Sequence, residues 1–199
     1  MNFENVKLLY VISCVALSLI ILSPTFAALV PSSSGEKFSE LWVLGPDHML
    51  RNYPFNVSEG ESYKVYLGVG NHMGDLDYYR VYVKFRNQSE TLPDDKAGLP
   101  SPLEPIFEYN MFLRNDETWE RELSFSFEGV SFERNVSSVN KVLIDGYAVD
   151  VNKIAPWDET QNEFYYQLFF ELWIYNTTAS RFQFNNCYVG LRLNITETS

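Results

Sequence analysis

The 199 residues include only two histidines, His48 and His72, and two cysteines, Cys14 and Cys187, so nucleophilic and metal chemistry are thinly supplied. Both histidines sit beside turn sequences, Gly45-Pro46 and Gly74. A Ser–His–Asp site needs a histidine near an activated hydroxyl and an orienting carboxylate, and no G-x-S-x-G elbow occurs. His72 reads as a turn or hydrogen-bonding residue. Zinc spacings of the HExxH or CxxC kind are missing. Acidic turns at Asp75 and Asp77, Asp94-Asp95 and Asn115-Asp116-Glu117 are the nearest approach to calcium loops. None has EF-hand spacing, and they read as solvated turn carboxylates. The sequence names no catalytic residue, no metal ligand and no cofactor. A glycosidase-type pair of carboxylates stays open as an enzymatic alternative, because the separation that defines one is spatial.

Aromatic side chains are the remaining candidates, with 15 Phe, 13 Tyr and 4 Trp. Trp42 and Trp119 are expected to cover core edges. Trp157 follows Ala155-Pro156 and precedes Asp158 and Glu159, which places it in a loop as an exposed contact. Trp173 with Phe169 and Tyr175 forms the second candidate, an aromatic patch. Trp157, Phe169, Trp173 and Tyr175 are therefore the binding candidates, suited to a protein partner or to sugar stacking. Five N-x-S/T acceptor sequences, at Asn56, Asn87, Asn135, Asn176 and Asn194, are glycosylation candidates.

The net charge of −11 gives no attraction to phosphate backbones and disfavours a nucleic-acid partner. Hydrophobic residues at 46% with charged residues at 21% exclude a disordered chain. Leu8 to Val30 is uncharged, and a helix of that length spans about 34 Å, enough for a bilayer. Two readings compete: a retained anchor, favoured by length, and a signal peptide cleaved near Thr25-Phe26-Ala27. Lys7 favours a cytoplasmic N-terminus, so either reading puts the remainder outside the cytoplasm. Cys187 then has no partner for a disulfide beyond the apolar segment and reads as a small buried residue. The organisation is residues 1–30 as the hydrophobic segment, 31–37 as a linker and 38–196 as the domain.

Within that domain the apolar pattern has period two. Tyr63, Val65, Leu67 and Val69 point one way; so do Tyr79, Val81, Val83 and Phe85, and Leu123, Phe125 and Phe127. Val189, Leu191, Leu193 and Ile195 repeat the pattern, which puts Asn194 on the water side. Phe38–Leu44 and Phe107–Leu113 add strands, four prolines make 93–105 a loop, and Asp145-Gly146 marks a hairpin. Tyr166, Leu168, Phe170, Leu172 and Ile174 form another inward set. Its strand is either central and covered on both sides or displays the Trp173 patch. About eight or nine strands without a helical stripe imply an all-β, antiparallel β-sandwich after one N-terminal transmembrane or signal helix. A membrane barrel is disfavoured, because outward positions include Arg80, Lys84, Glu122 and Glu171.

Several segments carry a family resemblance: Phe38-Ser-Glu-Leu-Trp-Val-Leu-Gly-Pro46, Tyr53-Pro-Phe-Asn-Val-Ser-Glu-Gly-Glu61, Gly68-Val-Gly-Asn-His72, Tyr79-Arg-Val-Tyr-Val83, Thr118-Trp-Glu120 and Phe170-Glu-Leu-Trp-Ile-Tyr-Asn176. Their order resembles the exterior domain of an uncharacterised family of archaeal membrane proteins, domain-of-unknown-function family sixteen-sixteen, across most of 38–195. The resemblance implies several membrane helices followed by an immunoglobulin-like region; this chain departs from it with one hydrophobic segment. Residues 138–160 read as an insertion. A looser likeness is to cell-surface immunoglobulin-like and adhesion modules. The family carries no known activity. The functional expectation is a non-enzymatic, membrane-anchored module outside the cytoplasm for binding, adhesion or envelope assembly, with an envelope protein or glycan as partner and a carbohydrate-binding module as the alternative.

Overall fold

A computed structural model of the chain describes Lys7, residues 10–18 and residues 36–197. Contacts divide the chain into two units, residues 1–37 and 38–199. In the first unit, residues 10–18 are helical, and Ser18 Oγ donates to the Cys14 carbonyl at 2.7 Å. Among the described residues no helix is long and apolar enough to cross a membrane. Most of the proposed anchor, residues 8–9 and 19–30, lies outside the described residues, as does most of the 31–37 linker.

The second unit is a mostly β structure of ten strands. They are β1 (Phe38–Leu44), β2 (Asn56–Ser58), β3 (Tyr63–His72), β4 (Asp77–Asn87), β5 (Phe107–Leu113), β6 (Thr118–Glu133), β7 (Val136–Ile144), β8 (Tyr147–Asp158), β9 (Glu163–Asn176) and β10 (Arg181–Thr196). The hydrogen-bonded order is β1-β3-β6-β7-β8-β9-β10-β2, with β4 also pairing β9 and β5 pairing β4. The expectation of a purely antiparallel arrangement fails at β2, which runs parallel to β10 through Asn56–Asn194, Val57–Ile195 and Ser58–Thr196. The sheet is therefore mixed. Among the described residues β8 pairs with β9 through Trp157–Phe164 and Asp158–Glu163, a short junction in a curled sheet.

Burial follows the period-two pattern because successive strand side chains leave opposite faces. Val65, Leu67 and Val69 on β3, Leu123, Phe125 and Phe127 on β6, and Tyr79, Val81, Val83 and Phe85 on β4 are all buried in one core. Tyr166, Leu168, Phe170 and Leu172 on β9 and Leu191, Leu193 and Ile195 on β10 complete it. Phe85 of β4 meets Phe127 of β6 with ring centroids 5.7 Å apart, and Tyr166 of β9 hydrogen-bonds Ser137 of β7. Strands distant in the pairing order thus face one another.

The β7–β8 hairpin closes on Asp145-Gly146, both at positive φ, as the sequence predicts. Asp145 also ties neighbouring strands together. It accepts from Tyr109 Oη at 2.8 Å and from the Ser124 amide at 3.0 Å, and Arg121 lies 3.1 Å away. Residues 138–160 are not an appendage to this sheet, since Val139, Val142, Ile144 and Ala155 belong to its core.

Parity on β6 changes at Gly129: Phe127 is buried before it, while Val130 and Phe132 pack against the core after it. Gly129 has φ of 64°, and a Cβ there would approach the Asn140 side chain to 2.9 Å. Gly129→Ala is expected to cost about 1 kcal/mol or more in urea unfolding, since an L side chain is strained in that conformation.

Candidate binding surface

Inward packing of Tyr79, Val81, Val83 and Phe85 forces Tyr78, Arg80, Tyr82, Lys84 and Arg86 onto the opposite side of β4. Register sets Arg80 between Asn110 of β5 and Trp173 of β9, and Tyr78 beside Phe112. On the far side of β9, Tyr175 pairs Phe182 and Trp173 pairs Phe184 of β10. The four strands therefore carry one aromatic plate. Tyr78 and Phe112 stack at 4.2 Å, Tyr78 meets Phe182 at 4.9 Å, and Tyr175 meets Phe182 at 5.3 Å. Tyr82 and Trp173 are edge-on at 5.3 Å, with Phe184 6.0 Å from Trp173. Phe112 is 65% exposed, and the other rings are half-buried by one another.

Arg80 lies within this plate. Its Cζ is 4.2 Å from the Phe182 centroid, a cation–π distance. Its Nε donates to Asn110 Oδ1 at 2.7 Å, and its Nη1 donates to Tyr82 Oη at 3.2 Å and lies 3.5 Å from Glu108. The guanidinium is oriented on three sides and keeps one edge among the rings.

Farther along the same face the surface is closed. Lys84 and Glu171 pair at 2.9 Å, with side chains 4% and 0% exposed. The β4–β5 loop supplies the cover: the Ser101 carbonyl accepts from Lys84 Nζ at 2.8 Å, and the Ser101 amide donates to Glu171 Oε1 at 2.8 Å. Trp173 Nε1 donates to the other Glu171 oxygen at 3.0 Å. One carboxylate thus fastens the proline-rich loop and orients the indole of the plate.

The four sequence candidates separate in space. Trp173 and Tyr175 belong to the plate. Phe169 does not: it is fully buried, on the side of β9 where Lys84 and Glu171 are also buried. Trp157 is not in a loop. It closes β8, pairs with Phe164 and lies half-buried in a separate groove. Trp119 packs against the core beside Tyr109, as expected. Trp42 instead lies on the outer side of β1 over Gly68, with its Nε1 donating to Glu120. Asn194 is corrected as well, being 8% exposed rather than on the water side. Its strand is covered by β2, and its carboxamide donates to Asn56 and accepts from the Phe164 amide. Tyr78, Arg80, Phe112, Phe182 and Phe184 were missed. Phe112 occupies the outward parity of a strand whose inward set was legible, and that parity was the available signal.

The histidines are held by carboxylates. His72 Nδ1 lies 2.9 Å from Asp116 Oδ1 and Nε2 lies 3.5 Å from Glu40, while its ring stacks on Phe38 at 4.6 Å. The hydrogen bond to Asp116, with help from Glu40 and against some desolvation, raises the His72 pKa above its ordinary value. His48 sits 3.7 Å from Glu120 and edge-on to Tyr66. Cys187 packs against the core, and burial pushes its thiol up, away from reactivity. Among the described residues no group of three or more His, Cys, Asp or Glu is arranged to hold a metal ion.

These features define a mostly β chain with an aromatic outer face. By sequence, it belongs to the family described as a domain of unknown function (DUF1616), whose model matches residues 31–136. No curated protein matches it. Among solved structures, a β-glucosidase from Listeria innocua with gluconolactone aligns with a TM-score of 0.34 and 10% identity, covering 80% of this chain. The alignment spans only 16% of that enzyme. A complex of zinc 2-glycoprotein and prolactin inducible protein from human seminal plasma aligns with a TM-score of 0.35 and 8% identity, covering 81% of this chain and 97% of that one.

Two outcomes follow from the geometry. Lys84→Met leaves Glu171 buried without its counter-charge and is expected to cost about 3–5 kcal/mol, with faster proteolysis in the 88–105 loop. For His72, a raised folded pKa means its contribution is full below the unfolded pKa and disappears as pH rises through the folded pKa. The Tm advantage of the wild type over His72→Gln should therefore be larger at about pH 5.5 than at about pH 8.5.

Proposed function

We propose that this chain is a non-enzymatic binding or adhesion module. On this reading it is carried outside the cytoplasm by its N-terminal apolar segment and engages an envelope protein through the aromatic plate. The N-terminal segment serves as a single-pass anchor, or as a signal that is cleaved to release the domain. The curled sheet works as an immunoglobulin-like β-sandwich, with β1-β3-β6-β7-β8 packed against β5-β4-β9-β10. The mutual core of these strands supports that description.

The observation that carries the reading is the plate of Tyr78, Phe112, Trp173, Tyr175 and Phe182 around Arg80. Tyrosine, tryptophan and arginine are the residues that dominate binding energy at protein interfaces. Here they are prearranged by strand register, so little side-chain freedom remains to be lost on association. A second reading, sugar binding, draws on Arg80, Asn110 and Glu108, which place hydrogen-bonding groups between ring faces.

A photo-cross-linker at Phe112 in intact cells is expected to trap a protein neighbour, with yield falling in Phe182→Ala. The same probe at Lys64, on β3, should trap much less. Equal trapping at both positions, or none at Phe112, contradicts the proposal. Retention on envelope polysaccharide that is lost in Phe112→Ala transfers the surface to the sugar reading.

A further inference from the structure

The groove holding Trp157 is bordered by an acceptor asparagine. It is an open groove of about 450 Å³ lined by Phe132, Trp157 and Phe164, with Arg134, Asn135 and Asn194 among its polar members. Phe164 packs 5.3 Å from Phe132 and 4.9 Å from Trp157. Apolar walls with a few fixed polar groups are the usual make-up of a small-ligand site. Asn135 is also one of the five acceptor asparagines. It stands with Arg134 in the two-residue turn between β6 and β7, and its carbonyl accepts from the Trp157 amide at 2.8 Å.

The folded domain accommodates a substituted side-chain nitrogen differently at the five acceptors. Asn194 is buried, and its Nδ2 is committed to Asn56. Asn87 Nδ2 donates to the Ile154 carbonyl at 2.7 Å and Asn176 Nδ2 to Gln183 at 3.0 Å. Asn56 is exposed and only its oxygen is engaged, by Asn194, but it does not line the groove. Asn135 is exposed, and its carboxamide makes no hydrogen bond among the described residues.

We infer that Asn135 carries an N-linked glycan whose first sugars lie in the groove of Phe132, Trp157 and Phe164. This rests on the proposal that the domain is exported. The donor is a lipid-linked saccharide diphosphate. The Asn135 nitrogen bonds to the sugar C1, the C1–O bond breaks with its electron pair leaving on the lipid diphosphate, and the amide proton passes to a base of the transferase. The acceptor sequence also needs the Ser137 hydroxyl. In the folded domain Ser137 is fully buried and bonded to Tyr166. Attachment therefore precedes the docking of β7, during export.

The test is peptide mass spectrometry on the full chain purified from its native membrane or envelope fraction, with iodide quenching of tryptophan in the wild type and Asn135→Gln. The inference expects a sugar mass on the Asn135 peptide, none on the Asn194 peptide, and stronger quenching in Asn135→Gln. Trp157→Phe in both backgrounds should abolish that difference in quenching. An unmodified Asn135 in protein that protease reaches on intact cells overturns this inference and leaves the exterior reading standing. Unmodified protein shielded inside cells overturns both. A modified Asn135 whose removal leaves Trp157 quenching unchanged overturns the seating in the groove.

Discussion

Lys84 and Glu171 face each other across β4 and β9 on the side turned away from the core, and yet both are buried. Two charges in that position are tolerable only when their remaining hydrogen-bonding capacity is used. The β4–β5 loop answers that need with both backbone groups of Ser101, and Trp173 adds its indole N–H. The loop is consequently part of the sheet's second layer. Phe169 is buried beside Lys84 in that part of the face; beyond it, the rings stay open. The ion pair thus divides one sheet face into a covered half and a displayed half.

The displayed half depends on register more than on any single ring. Strands β5, β4, β9 and β10 align Phe112, Tyr78, Tyr175 and Phe182 along one line and set Arg80 beside them. Each ring limits the rotamers of the next, and Arg80 is oriented by Asn110, Tyr82 and Glu108. The outer side of β1, β3 and β6 has a different character. There Trp42 is spent on covering Gly68, and the histidines and lysine are matched with carboxylates. The polar groups of that surface are largely occupied with one another.

Much of the architecture was legible because burial on one side of a strand imposes alternation. The inward sets on β3, β4, β6, β9 and β10, the Asp145-Gly146 hairpin and the 93–105 loop all stand in the structure where the pattern put them. The pattern gave out where parity is broken or where burial comes from elsewhere. Gly129 lets β6 switch faces, which ends the readable alternation after Phe127. Lys84, Phe169 and Glu171 occupy outward positions, and no local rule shows that they will be buried or that a loop from β4 to β5 will bind Lys84 and Glu171. Asn194 fails for the same reason, since the parallel strand that shields it lies far away in sequence. Of the four binding candidates, parity placed Trp173 and Tyr175 on the displayed half of the face. Phe182 joins them only once the β9–β10 register is known.

The division of the outer face into sealed and open halves is the claim from which the binding surface follows. Hydroxyl-radical footprinting of the purified full chain reads it residue by residue. Phe112, Tyr175 and Phe182 should be labelled readily, with Phe169 protected at the level of the core residues Phe125 and Phe170. Labelling of Phe169 comparable to that of Phe112 would mean that the loop does not close over Glu171 and would contradict the account.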